Sequence, residues 1–279
     1  MSEQKYKKIN QLAKDLPEGL LADAKWMEQH GYYGSLRTKY LAAGWLERPT
    51  RGVYRRPRGD LTWEQAVISL QSLMHHPVTV GGRTALELQG FAHYLSHAQQ
   101  EVFLYGDKPL PGWTANLPIE TRLVFRSRRR LFPGLDQALP TVPLDGQKLP
   151  DTDKTLSGAF RVFPWGHWKW PLVVSTAERA VFELLDELPD RESFHQVDGL
   201  MEGLATLSPR RLQELLVQCR SIKVKRLFLF FADRHNHAWL QRINHEDIDL
   251  GKGKRMLVKG GKFDPTYQIT VPEDLHGVQ

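Results

Sequence analysis

Cysteine is nearly absent: Cys219 stands alone in 279 residues. That excludes an intrachain disulfide and any multi-cysteine zinc site, and the residue reads as a buried free thiol. Long apolar runs are missing as well. The longest, Leu227 to Ala232, is far shorter than the ~18 residues of a membrane helix. The opening MSEQKYKKINQLAKDL has no apolar stretch that could serve as a signal peptide. A cytoplasmic protein with no membrane partner is therefore expected. Catalytic signatures are equally scarce. Gly251-Lys252-Gly253-Lys254 lacks the spacing and the Ser or Thr of a phosphate loop, and neither G-x-G-x-x-G nor G-x-S-x-G occurs. His235 and His237 would face apart on a helix, which disfavours a shared metal. Glu183, Asp186 and Glu187 lack a Lys or His constellation and read as a solvated helix face. No catalytic residue, metal ligand or cofactor is expected, and no enzymatic activity.

What is present is basic charge in one place. Between Arg37 and Arg58 lie seven Lys or Arg (37, 39, 48, 51, 55, 56 and 58) and one acid, Glu47. That local +6 equals the formal net charge of the whole chain, so the rest balances to zero. A concentrated positive field attracts a polyanion more effectively than the same charge spread out.

The pattern around this segment gives it a shape. Tyr6, Ile9, Leu12, Ala13 and Leu16 fall at helical spacing, and a second helix is expected over about Leu20 to His30, ended by Gly31. Ser35 can cap a third, short helix that Gly44 stops. Its inner face would be Leu36, Tyr40 and Leu41, with Arg37, Thr38 and Lys39 outside. A strand from Trp45 to Glu47, a turn from Arg48 to Gly52 and a strand from Val53 to Arg56 would follow. Helices followed by a basic hairpin are the order of a winged helix-turn-helix, whose second helix enters the major groove of DNA. The DNA-binding candidates are therefore Ser35, Arg37, Thr38 and Lys39 on the helix, with Arg48, Arg51, Arg55 and Arg56 in the wing. Arg37 and Thr38 are the candidates for reading bases. The wing arginines would contact phosphate. A solvated basic hairpin on a protein-binding domain is the plainer alternative.

Further on, Thr62 and Gln65 are spaced as a capping box before the helix of Trp63, Ala66, Val67, Leu70 and Leu73. Val78 to Val80 reads as a strand. Gly81-Gly82 then makes a tight turn, or less commonly an anion nest, before a helix with Leu86, Leu88, Phe91 and Leu95 apolar. Strands are expected at Glu101 to Tyr105, Arg122 to Phe125, Phe160 to Phe163 and Leu172 to Val174, with a long loop over Leu139 to Ser157. The cluster Arg126 to Arg130 reads as solvated protection of a strand edge, with an accessory nucleic-acid or partner contact as the alternative. Ser175 to Glu178 is spaced as a capping box for a helix over Ala180 to Leu188. Ser208-Pro209 opens another helix, and Leu227 to Ala232 continues a third. The tail from Lys254 to Val271 reads as strand, turn at Gly260-Gly261, and strand. Strands and helices without a clean repeat indicate an α+β fold: an N-terminal winged helix-turn-helix over 1–95, wing near 45–57, and a larger mixed domain over 96–279.

Three stretches, YLAAGWLERPTRGVYRRP, VGGRTALELQGFAHYL and LVVSTAERAVFELLDELP, together resemble the AbiEi-type antitoxins of type IV toxin–antitoxin systems. The likeness runs to about Cys219 and is weaker after Ile222. It implies a winged helix that represses its own operon by binding double-stranded DNA at inverted repeats. It also implies a C-terminal domain that counters a nucleotidyltransferase-like toxin, with or without touching it. The DNA-reading helix would map to Ser35 through Ala43 and the wing to Glu47 through Tyr54. Two other classes stay open: a winged-helix regulator whose C-terminal domain senses a ligand, and a DNA-processing nuclease targeted by its winged helix.

Overall fold

A computed structural model describes residues 2–91, 100–133, 142–144 and 158–276. The N-terminal part runs α1 (Ser2–Asp15), β1 (Leu21–Asp23), α2 (Ala24–Gln29), α3 (Gly34–Ala42), β2 (Glu47–Thr50) and β3 (Val53–Arg55). The three strands form an antiparallel sheet in the order β1-β3-β2. This is a winged helix-turn-helix, with one strand more than the sequence pattern suggests. Leu20 to His30 is not one helix. Leu21 and Ala22 pair with Arg55 and Tyr54, and Asp23 caps α2 by accepting from the Trp26 N–H at 2.7 Å. Leu21 and Ala22 are fully buried, which explains how they pass for part of an amphipathic helix. Tyr33, not Ser35, occupies the N-cap position of α3, and no side chain caps that end.

The wing is tighter than expected. Thr50 pairs with Val53, so the turn is Arg51-Gly52, with Gly52 at φ +78° where a side chain would be strained. Pro49 sits on β2, an edge strand of this sheet, at the register shift between the Glu47 and Thr50 pairings, where a missing N–H is tolerated. The Gly52 carbonyl accepts from Ala24 N–H at 2.8 Å and ties the wing to the start of α2.

The link to the larger part is α4 (Trp63–Ile68). Thr62 and Gln65 form the expected capping box. Beyond Ile68 the helix widens for one turn, and the Met74 N–H reaches back to Ser69 O at 3.0 Å. Two polar side chains of this turn act as stitches. Ser69 Oγ accepts from the Leu21 N–H at 2.7 Å. The Gln71 amide donates to Val78 O and Val173 O and accepts from Val173 N, each at 3.0 Å.

Those two carbonyls belong to a five-stranded mixed sheet built from β4 (Val78–Val80), β5 (Glu101–Gly106), β6 (Arg122–Ser127), β7 (Phe160–Trp165) and β8 (Trp170–Ser175), in the order β6-β5-β4-β8-β7. Strand β4 is its centre, parallel to β8 only at Val80↔Val174 and antiparallel to β5. The sequence reading places β4 and the following helix, α5 (Gly82–Leu88), in the first domain. In the structure β4 pairs with β5 and β8, so the large sheet takes its central strand from that first stretch. The proposed division at 95/96, together with Leu95, lies outside the described residues.

Four helices then cover the sheet and one another: α6 (Ala177–Asp186), α7 (Phe194–Glu202), α8 (Pro209–Gln218) and α9 (Ile222–Arg234). Ala177 to Leu185 of α6 are buried on every side. Phe182 stacks on Phe228 of α9 at 4.8 Å, a contact worth about 0.5–1.5 kcal/mol beyond its burial. Thr176, not the expected Ser175 box, caps α6 by position, and Glu178 instead accepts from the Ser208 N–H at 2.9 Å. The tail hairpin is β9 (Lys262–Asp264) and β10 (Ile269–Val271), joined at 265–268 rather than at Gly260-Gly261.

A helix buried all round must neutralise its own charges. Glu183 is fully buried, so its reading as a solvated residue is corrected. It pairs with Arg179 at 2.8 Å, accepts from Ser175 Oγ at 3.1 Å and from the Gly82 N–H at 3.0 Å. The Gly81-Gly82 turn thus cradles an anion that the protein itself supplies. A Cβ on Gly81 would lie 2.2 Å from the Glu183 carboxylate, which is why glycine stands there. Glu187 is also buried and takes a two-pronged contact from Arg126, at 2.7 and 2.9 Å. The basic cluster does lie at an edge strand, β6, with Arg129 and Arg130 exposed, but its arginines are paired and Arg128 is buried. Arg128 and Arg129 pair with Asp107, and Arg130 pairs with Asp186 at 3.1 Å.

Candidate nucleic-acid interface

The seven cations of Arg37 to Arg58 separate into two groups. Four turn to carboxylates. Arg37 is 9% exposed and lies inside the helix pair, not on its outer face. Its Nη1 donates to Ala24 O and its Nη2 to Glu28 Oε1, both at 3.0 Å, and its guanidinium lies 5.2 Å from the centre of the Tyr54 ring. Arg37 is therefore a strut joining α2, α3 and β3, which corrects its placement on the outer face of the helix. Arg55 is 7% exposed, pairs with Glu47 and donates to Gly59 O at 2.6 Å. Arg56 pairs with Glu18 at 3.0 Å and donates to Ala13 O at 3.2 Å, while Arg58 stands 3.8 Å from the same Glu18. Arg55 and Arg56 therefore fasten β3 to its neighbours instead of projecting from the wing.

The other three, Lys39, Arg48 and Arg51, are exposed and form no ion pair among the described residues. Lys39 lies on α3, Arg48 on β2 and Arg51 at the wing turn. Ser35 and Thr38 are exposed on α3, and Thr38 Oγ1 donates to Gly34 O at 3.0 Å, the back-bond common to helical Thr. The outward set is thus Ser35, Thr38, Lys39, Arg48 and Arg51.

Three residues that the sequence reading does not single out join this set by position. Lys25, at the first turn of α2, is exposed and without an ion pair among the described residues. Tyr33 and Trp45, 64% and 48% exposed, bracket α3 at its two ends. Their signal in the sequence is an aromatic flanking each end of a short helix, Tyr33 just before Gly34 and Trp45 three residues past Ala42. Inside that helix, burial lifts the Tyr40 hydroxyl above its ordinary range, so it stays neutral and adds nothing to the field.

Elsewhere the histidines considered as metal ligands are engaged separately. His235 Nε2 meets Asp198 Oδ1 at 2.7 Å, and His237 Nε2 meets Met201 O at 2.7 Å. Cys219 is buried, and burial pushes its thiol up to about 11. No helix among the described residues is long and apolar enough to cross a membrane.

A winged helix presenting unpaired cations on its second helix and its wing has the design of a transcription regulator's DNA-binding part. Comparison with known proteins makes the assignment specific. Residues 5–97 match the family described as transcriptional regulator, AbiEi antitoxin N-terminal domain. Residues 99–272 match the family described as transcriptional regulator, AbiEi antitoxin, type IV TA system. The chain belongs to the AbiEi antitoxin family of type IV toxin–antitoxin systems. Among solved structures, the crystal structure of the RV2827C protein from Mycobacterium tuberculosis is similar in fold, with a TM-score of 0.51 and 15% identity. The match covers 94% of this chain and 88% of that one. No curated protein matches.

Proposed function

We propose that this antitoxin represses its own operon by binding inverted-repeat DNA through α3 and the wing, and that the larger part counters a nucleotidyltransferase-like toxin. The observation that carries the DNA reading is the sorting of charge. Four basic side chains in one short segment are neutralised by acids, while Lys39, Arg48 and Arg51 are left without them on the elements a winged helix applies to DNA. Lys39 and the wing arginines supply phosphate contacts, Ser35 and Thr38 face the base edges, and Arg37 holds the reading helix in place. The toxin role rests on family membership, which is that of a regulatory antitoxin.

The test uses the full chain, because a cut at 95/96 would remove the central strand β4 from its sheet. Arg51→Ala and Lys39→Ala should each weaken binding to operator and random duplex and lower the salt slope by about 1. A triple Lys39, Arg48, Arg51→Ala variant should lose operator repression while still restoring growth beside the toxin gene. A flat salt response of the unaltered protein would refute the DNA reading. Loss of growth rescue in the triple variant would tie neutralisation to repression.

A further inference from the structure

The second concentration of unpaired charge lies far from the winged helix in sequence. Between Lys252 and Lys262 stand five cations, Lys252, Lys254, Arg255, Lys259 and Lys262, and no acid. All five are exposed, and none has an ion pair among the described residues. The contrast with Arg126 to Arg130 is direct, since every arginine there meets a carboxylate. The neighbouring acids are occupied locally. Asp249 accepts from the Gly251 N–H, Asp264 from the Tyr267 N–H and Asp247 from Asn244 Nδ2, each at 2.8 Å.

The segment is also held from beneath. Arg226 of α9, 2% exposed, donates to four carbonyls: Leu250 at 2.8 Å, Gly253 at 2.7 Å, Gln268 at 3.1 Å and Gly251 at 3.2 Å. Lys225 adds a bond to Asp249 O at 3.0 Å. Gly251 and Gly253, at φ +61° and +80°, let the chain turn over that guanidinium. Lys254 is laid across the Phe263 ring at 4.8 Å. A buried arginine spent entirely on carbonyls fixes the backbone on which the outer cations stand. Like charges so held repel one another, and a polyanion relieves that repulsion. Met256 is the one large apolar side chain strongly exposed there, whereas a protein-binding surface would centre on an apolar cluster.

We propose that Lys252, Lys254, Arg255, Lys259 and Lys262 form a second nucleic-acid surface, which binds backbone phosphates without reading sequence. Its chemistry is charge neutralisation with counterion release, shared by DNA and RNA. It acts independently of α3 and the wing, and no hydrogen bond or ion pair joins the two surfaces among the described residues.

The experiment uses the full chain with Lys39, Arg48 and Arg51 changed to Ala, so that winged-helix binding is suppressed. Binding to a 30-base-pair random duplex and to an RNA hairpin is titrated at several salt concentrations. Residual binding with a log–log slope of about −3 to −4 on duplex is expected. Changing all five cations to Gln should weaken it at least tenfold at low salt. A four-site variant that keeps Lys254 on Phe263 guards against a local packing defect, and melting curves check folding. Replacing the four lysines with Arg should preserve binding. Tighter binding of duplex or of hairpin tells which backbone is preferred, and either supports the proposal. Residual binding unchanged by the Gln variants would overturn it. So would no residual binding at all, or displacement by polyglutamate as readily as by nucleic acid of equal charge.

Discussion

The stretches 37–58 and 126–130 both concentrate basic charge in the sequence. In the first, four cations turn to Glu18, Glu28 and Glu47 and three stay free. In the second, Asp107, Asp186 and Glu187 take every arginine. The Arg128 guanidinium holds the Asp107 carboxyl below its usual range, the mark of a committed pair. The difference lies in where the acids are, and most of them sit far away along the chain. Local net charge counts the cations, and only the fold reveals which have been claimed.

That contrast can be sharpened by removing a partner from the most buried pair. Glu183→Ala leaves Arg179 uncompensated among Phe132 and Phe160, and should cost about 3–5 kcal/mol in a urea melt. Within the first stretch, Arg37→Ala should cost about 1–3 kcal/mol, because it strips the partner from Ala24 O and unties α2 from α3. Arg51→Ala should leave the melt unchanged and alter only DNA binding. If both substitutions moved the melt equally, the division into inward and outward cations would fail. In the exposed part of the second stretch, Arg130→Ala should change stability by less than about 1 kcal/mol, since a solvated pair contributes little.

A pH titration tests the polar interior more gently. Burial pulls the His237 imidazole below its ordinary 6.5. The unfolded chain therefore takes up a proton near that value while the folded one does not. Stability contributed by the neutral ring is complete above pH 6.5 and falls as the solution is acidified toward the lower folded value. His237→Gln should flatten that part of the curve, read as melting temperature against pH.

The winged helix was legible because its signals are local: a short polar helix, Gly44, and a basic hairpin with Pro and Gly. Strand β1 was not, because Leu21 and Ala22 extend the apolar spacing of their neighbours, and only Asp23 announces a new helix start. Arg37 could have been suspected. It precedes Tyr40 by three residues and so shares its buried face, but the acid that receives it lies on another helix. Glu183 hid for a related reason. Its partner Arg179 is one turn away, yet the burial of that turn depends on α5 and α9, which no local pattern describes. Outward residues such as Lys39 and Arg51 were found more easily, since exposure requires nothing of distant sequence.

The pairing of Val80 with Val174, stitched by Gln71, also sets an order of events during synthesis. The small sheet can close once Arg55 has emerged, because β1, β2 and β3 all precede it. The central strand of the large sheet can pair with β5 soon afterwards, but its other edge must wait for β8, about a hundred residues later. At about 5–20 residues per second that is a delay of roughly 5–20 s. Throughout it, the growing chain carries a finished winged helix beside an open strand edge, so the head of the protein is assembled before the body that steadies it exists.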